Sequence, residues 1–429
     1  MDQISSPFEE LDERDRRFEP YRYAFSDKAK AVVAEVRASL VRYEIEQRLQ
    51  KNRRRPADQE TFDLTVDAII SNVMHHHLAG HWGDLYVTRS NRVLGMKSRY
   101  RPRVYSKKFP DILDLMEKRG LIVQDVPPPI EGQKRSTVIR VGQALSSLIE
   151  EQGIDLDDFG LHPHGETIIL KKPKDTGDYW DQGGFEEYDD TSETDLFRAE
   201  VDHINRWLTS ADLAFSPLGI PLPHTAFHIG DRQLRRIFTK GRFDCGGRLF
   251  GGFWQELRKD ERRKGLRIDG EEAVELDYGQ IGPRIVYGLA SETPPEGDLY
   301  DCPGYNRQRD GIKRVMSAMI FASDRLERFP KDTKKLFRAN DKISEVVNAI
   351  ESRHPHIRDF FHCGVGHRAQ FIESTILIKV LLTLMDVAVT ALPIHDAVMV
   401  PASKASLTRD IMLSAFHDHT GLEGVVTLG

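Results

Sequence analysis

The chain has 429 residues, long enough for two or three domains and a sizeable core. Its formal net charge of −6 gives no global polycation signal, no apolar run is long enough to span a bilayer, and the acidic start Met1–Glu13 lacks the apolar core of a secretory signal. Cys245, Cys302 and Cys363 lie far apart, which argues against a disulfide framework or a four-cysteine zinc site; a soluble, cytoplasmic protein is expected.

Residues 1–58 read as a charged helical arm. Ser26 to Gln50 carries Ala31, Val32, Val36, Leu40, Val41 and Ile45 at helical spacing, and Arg53-Arg54-Arg55-Pro56 ends it. Thr61 to Leu78 is an apolar helix and Leu85 to Thr88 a strand. Lys107 to Arg119 is an amphipathic helix closed by Gly120. Strands follow at Leu121–Val123 and Ser136–Val141, then a helix from Gln143 to Gln152. This order across 59–172 resembles a winged helix. Arg92, Lys97, Arg99, Arg101, Arg103, Lys107 and Lys108 occur there without an intervening acid, with Tyr100 and Tyr105 among them. Cations interleaved with aromatics suit phosphate contacts and stacking, so Arg99, Arg101 and Arg103 are candidate nucleic-acid ligands. The competing reading is a solvated loop.

Residues 173–195 read as an exposed acidic linker, because the ligand spacing of a calcium loop is missing. Helices are expected from Leu196 to Leu208 and from Asp231 to Phe238. The glycine-rich stretch 241–252 lets a backbone approach a ligand or bend a sheet. It matches neither a Walker loop nor a dinucleotide fingerprint. Arg242 and Arg248, flanking Gly246-Gly247, suggest a backbone that hugs a polyanion.

Two later stretches carry the chemistry. Val274 to Asp277 is a strand that brings a carboxylate to its end, followed by a tight turn and a helix from Pro283. Leu392 to Pro401 is a hairpin that presents His395 and Asp396 between apolar strands. A charged pair in such flanks is costly to bury without a partner. Should Asp277 and Asp396 converge, they form the minimum that holds two divalent ions for phosphoryl transfer. Between them, the helix Arg307–Ala322 sets Arg309, Lys313 and Ser317 on one face, with Phe321 two turns beyond Lys313.

Asp277-Tyr278-x-Gln280-Ile281-x-x-Arg284, then Arg309-x-x-x-Lys313 with an aromatic eight residues on, then His395-Asp396, resembles the three catalytic motifs of the family A DNA polymerases. Asp298-Leu299-Tyr300, Gln370 in the helix Arg368–Leu384, and Gly241-Arg242-Phe243 are lesser echoes, and the resemblance covers about 241–402. It implies an α+β right-hand palm with short fingers over 241–429, a thumb-like helical segment over 196–240, and the winged-helix-like region before them. It further implies Asp277 and Asp396 as ligands of two Mg²⁺ ions, for which Mn²⁺ can substitute. Arg309 and Lys313 would hold triphosphate, with Lys313 protonating pyrophosphate. Gln280, Gly282 and Phe321 would border the nucleotide, and Arg242, Arg248, His395 and Gln370 would touch a DNA primer–template.

The motifs also depart from that family. Gly282 stands where those DNA polymerases carry a glutamate that crowds a ribose 2′-hydroxyl, and in this it is similar to single-subunit phage-type RNA polymerases. Phe321 replaces a tyrosine and Ser317 an aromatic. No exonuclease-like carboxylate set precedes the palm. The expected activity is primer extension from nucleoside triphosphates, without proofreading and with weak sugar discrimination. A primase or RNA polymerase on the same fold, with RNA as product, is one alternative. A non-catalytic replication initiator is another. A zinc site among His354, His356, His362, Cys363 and His367, or at His75-His76-His77, fits no familiar spacing.

Overall fold

A computed structural model describes residues 16–49, 52–80, 83–128, 136–163, 165–173, 184–216 and 227–429. The chain divides into one unit of 1–166 with 221–233 and another of 167–220 with 234–429.

In the first unit the elements are β1 (Arg16–Arg17), β2 (Arg22–Ala24), α1 (Asp27–Glu46), α2 (Pro56–Leu78), β3 (Leu85–Val87), α3 (Asn91–Leu94), α4 (Phe109–Lys118), β4 (Ile122–Asp125), β5 (Thr137–Val141), α5 (Gln143–Gln152) and β6 (Phe159–Leu161). Ser26 caps α1 by accepting the Ala29 N–H at 3.2 Å. Val32, Val36 and Leu40 of α1 share one core with Phe62, Ile69 and Val73 of α2 and Phe109, Leu113 and Met116 of α4. The expected arm therefore packs as part of this unit. Its main sheet runs β1-β3-β5-β4, so β5 pairs antiparallel with both β3 and β4. Tyr105, expected on a stacking surface, packs instead against Phe18 and Phe109, with ring centroids 6.1 and 5.7 Å away. An apolar ring beside that core gains more from burial than from solvent.

The second unit holds β7 (Ile168–Leu170), α6 (Ser192–Ser210), β8 (Leu213–Phe215), β9 (Arg235–Phe238), β10 (Gly246–Phe250), α7 (Lys259–Gly265), β11 (Leu266–Ile268), β12 (Glu271–Tyr278), α8 (Ile281–Ala290), α9 (Arg309–Phe321), α10 (Ile343–Arg353), α11 (Gly366–Asp386), β13 (Leu392–Ile394), β14 (Ala397–Pro401), α12 (Ala405–Thr420) and β15 (Val426–Leu428). One sheet runs β13-β14-β12-β11-β8, with β15 also on β12, and another runs β10-β9-β7.

Two expectations change here. Asp231 to Phe238 is not a helix: Arg235–Phe238 is β9, antiparallel to β10 and parallel to β7, so 196–240 is not uniformly helical. The burial pattern alternates, with Leu234, Arg236 and Phe238 inside. Arg236 hides the period because it is a buried cation. Its Nε donates to the Gly247 carbonyl at 3.1 Å, and its guanidinium lies 4.5 Å from the Phe197 ring centroid. Second, the acidic stretch lies in part outside the described residues, at 174–183. From Gly184 onward it runs beside β7, where the Glu186 N–H donates to Leu170 and the Tyr188 hydroxyl to Ile168.

The glycine-rich stretch serves the sheet. Gly246 and Gly247 have φ of +81° and +82° at a register shift between β9 and β10, a bulge that glycine forms without strain. A Cβ on Gly247 would stand 2.8 Å from Ser374 Oγ on α11. The missing side chain thus lets β10 lie directly on that helix. Further on, the buried Trp254 donates its indole N–H to the Pro393 carbonyl at 2.9 Å, which fixes β13 just before His395-Asp396. Trp254→Ala is expected to cost ~3–5 kcal/mol of stability; a denaturant melt within 1 kcal/mol of wild type would refute this anchoring role.

Candidate active site

β12 alternates so that Glu275 and Asp277 share a face. Glu275 is buried and neutralised by Arg262 at 3.3 Å and Lys259 at 3.1 Å. Asp277 stands opposite Ala397 on one side and Thr427 on the other. The β13–β14 turn is His395-Asp396, so Asp396 immediately precedes the strand partner of Asp277. The Tyr278 N–H points at the Asp396 carbonyl, 3.5 Å away. Two carboxylates distant in sequence thereby line one cleft of about 260 Å³, together with Arg248, Gln280, Gly282, Tyr300, Lys313, Ser317, Phe321, Gln370 and Glu373.

Asp277 is the strained member. Its Oδ1 is buried and has no hydrogen-bond partner. Burial raises its pKa to about 6, Asp396 and then Glu275 add to the rise, and Lys313 and Lys259 oppose it. On α9, Lys313, Ser317 and Phe321 recur every four residues and so line the cleft from one helix face. The Phe321 ring meets His367 edge-on at 5.3 Å and covers Gly366, where a Cβ would stand 2.6 Å from the ring.

Gln280 enters α8 in the left-handed conformation, φ 59° and ψ 31°. Its Nε2 donates to Asp298 Oδ1 at 3.0 Å, and its Oε1 accepts the Leu299 N–H at 3.3 Å. Arg309 donates to the same Asp298 carboxylate and lies 5.3 Å from the Tyr300 ring centroid. Beneath this turn, His354 bridges Tyr287 Oη at 2.9 Å and the Leu299 carbonyl at 2.8 Å. Burial pushes His354 down to about 4. It is therefore neutral, and its Nε2–H donates to the carbonyl while Nδ1 accepts from the tyrosine.

Not every expected residue reaches the cleft. Arg242 is exposed and pairs with Asp244, two positions along; the hairpin turn aims it at its own neighbour. Arg248, six residues later on β10, lines the cleft instead. His395 packs edge-on against Phe250 at 5.9 Å and is not a lining residue. Arg309 is engaged by Asp298 beside the cleft. In the first unit, Arg99 pairs with Glu166 at 3.0 Å, Arg103 with Glu60 at 2.9 Å, and Arg101 donates to the Leu94 carbonyl at 3.2 Å.

Sequence reasoning missed Glu373. It is buried on α11, three residues after Gln370 and so on nearly the same face, and Arg248 contacts it at 2.6 Å. Burial raises its pKa to about 7; Arg248 opposes the rise, and Asp396 and Asp277 add to it. The one available signal was a carboxylate one turn before the apolar stretch Ile376–Ile378 of a helix that is mostly buried. The zinc alternative fails on geometry. His354 is used as described, His356 meets Glu292 at 3.4 Å, and the His362 Nδ1 meets the Asp324 carbonyl at 3.1 Å. Among the described residues no group of three or more side chains is arranged to hold a metal.

Two carboxylates fit Mg²⁺ nonetheless, because that ion keeps water and substrate oxygens as most of its ligands. The unpartnered Asp277 Oδ1 and the mutual repulsion of Asp277 and Asp396 are the features a cation would relieve. A folded pKa near 6 lies above the unfolded aspartate value of about 3.9. Between those values the folded state binds more protons, so in the absence of metal stability falls as pH rises from about 4 to 6. Asp277→Asn is accordingly expected to stabilise metal-free protein by ~1–2 kcal/mol at pH 7, after allowance for solvent screening. Melting in EDTA at pH 4 and pH 7 checks this, and a variant that melts lower at pH 7 would contradict it.

No family model matches the chain, and no curated protein matches it. Among solved structures it is similar to the "POL domain of Pol1 from M. smegmatis complex with DNA primer-template and dNTP", at 12% identity over 55% of this chain and with a TM-score of 0.29. The match spans about half of that structure's own length, 51%. A likeness of that TM-score decides neither fold nor function. No helix among the described residues is long and apolar enough to cross a membrane.

Proposed function

We propose that the chain is a nucleotidyltransferase that extends a nucleic-acid primer along a template, the second unit being a polymerase palm with short fingers and the first a winged-helix-like partner. The observation that carries this reading is the convergence of Asp277 and Asp396 on one cleft that Lys313 also lines, with one oxygen of Asp277 buried and unpartnered.

Asp277 and Asp396 would hold the two Mg²⁺ ions. The metal pair supplies charge neutralisation and a more acidic primer 3′-hydroxyl. Lys313, exposed on α9, is free to approach the triphosphate and hand a proton to the departing pyrophosphate. Arg309, held by Asp298 beside the cleft, would have to leave that carboxylate to grip the same phosphates. Phe321 offers an exposed ring to a base pair. Arg248 and Gln370 border the side where primer and template would lie.

RNA synthesis on the same fold is a second reading, and Gly282 favours it: a Cβ there would meet nothing within 4 Å, so nothing crowds a ribose edge. Incubation of purified protein with Mg²⁺, a labelled primer–template and either dNTPs or NTPs tests both readings. Extension by wild type and not by Asp396→Asn is expected. Absence of both extension and unprimed dinucleotide synthesis would end the catalytic proposal.

A further inference from the structure

Six of the seven cations between Asn91 and Phe109 fall into two sets, and the seventh, Arg101, is held by a backbone carbonyl. Arg99, Arg103 and Lys108 are paired with Glu166, Glu60 and Asp111. Arg92, Lys97 and Lys107 are exposed and, among the described residues, form no ion pair. All three belong to the segment at the end of α3. Arg92 lies on α3, which ends at Leu94 before Gly95. The Lys107 stem lies over that glycine, its Cε 3.0 Å from where a Cβ would stand. Arg101 donates to the Leu94 carbonyl at 3.2 Å, and Lys97 follows two residues after Gly95. Lys107 and Arg101 thus reach the end of α3, and Arg92 and Lys97 lie within three residues of Leu94 in the chain, with no carboxylate in the intervening sequence.

Helix α4 is more acidic along its length, with Asp111, Asp114 and Glu117 against Lys118 in its last turn. Asp111 and Glu117 are exposed on it, and Asp114 is held by Arg89 at 2.7 Å. In a helix–strand–helix–helix–strand–strand unit, α4 holds the position of a groove-reading helix, yet its carboxylates would face phosphates and be repelled. The geometry points to the Arg92–Lys97–Arg101–Lys107 corner at the end of α3 as the surface by which the first unit binds a nucleic-acid phosphodiester backbone. Tyr105 is turned into the core, so this surface does not stack on that ring, and because phosphate contacts carry no sequence information its binding is independent of sequence. It shares a partner with the proposed function and needs no catalysis.

The test is a fluorescence-anisotropy titration of the full chain with short labelled duplexes of two unrelated sequences, and with a single strand, across salt concentrations. The Arg92→Ala/Lys97→Ala/Lys107→Ala variant is expected to bind both duplexes at least tenfold more weakly at low salt. Its slope of log K against log salt should fall by roughly 2–3, close to one per lost phosphate contact. Arg92→Lys/Lys97→Arg/Lys107→Arg should bind as wild type. Unchanged slope and affinity in the alanine variant would overturn the proposal, as would equal loss in the charge-retaining variant. Anionic vesicles are the competing polyanion; vesicle binding that is lost in the alanine variant while duplex binding persists would also overturn it. Failure of primer extension with this slope difference intact would sink the catalytic reading alone.

Discussion

Asp396→Asn is expected to lower primer extension by at least ~10³-fold, roughly 4 kcal/mol of transition-state stabilisation, while leaving the fold intact. Asp396 sits in the tight β13–β14 turn, one residue before the strand partner of Asp277, so an isosteric amide keeps the hairpin and removes one charge. What is lost is one of two anions that together hold divalent cations. Asp277→Asn should match it in activity yet melt higher in EDTA, because that carboxylate is the one raised to about 6 by burial and by Asp396. Stability gained as activity vanishes is the pattern of a functional site held under electrostatic strain. Added Mg²⁺ should raise the melting temperature of wild type and shift neither variant comparably. Equal extension by wild type and Asp396→Asn would remove the two-carboxylate mechanism.

Gly282→Glu is expected to lower ribonucleotide incorporation by ~10³-fold and to change deoxynucleotide incorporation little. The substitution is sterically open: Gly282 lies in the first turn of α8, and a Cβ there meets nothing within 4 Å. A carboxylate in a first helical turn also suits the helix dipole, and replacing glycine inside a helix adds stability of roughly 0.5 kcal/mol. The new side chain would project into the cleft beside Tyr300 and Phe321 and crowd a 2′-hydroxyl. Matched assays with ATP and dATP on one template read the ratio directly. Wild type that already prefers dATP by more than about a thousandfold would show that Gly282 leaves no useful opening.

Much of this site was legible in the chain itself. The alternation leading to Asp277 and the apolar flanks around His395-Asp396 fix strands whose ends carry charge, because period-two burial is a local property. The i, i+4, i+8 placement of Lys313, Ser317 and Phe321 follows from helical pitch alone. Tertiary structure decided the rest. Only the antiparallel register of β12 with β14 sets Asp277 beside Asp396, and only the packing of α11 on β10 sets Glu373 against Arg248. Arg236 concealed a strand because its cation is stabilised by Phe197, Glu200 and Gly247, none of them a neighbour in sequence. Arg242 and Arg248 looked equivalent in a glycine-rich run, yet the hairpin turn sends one to Asp244 and the bulge sends the other into the cleft. The sequence by itself determined which groups could do chemistry and where strands and helices would present them. Which groups meet was decided by sheet register and helix packing, since carboxylates more than a hundred positions apart share an environment only when the whole core folds around them.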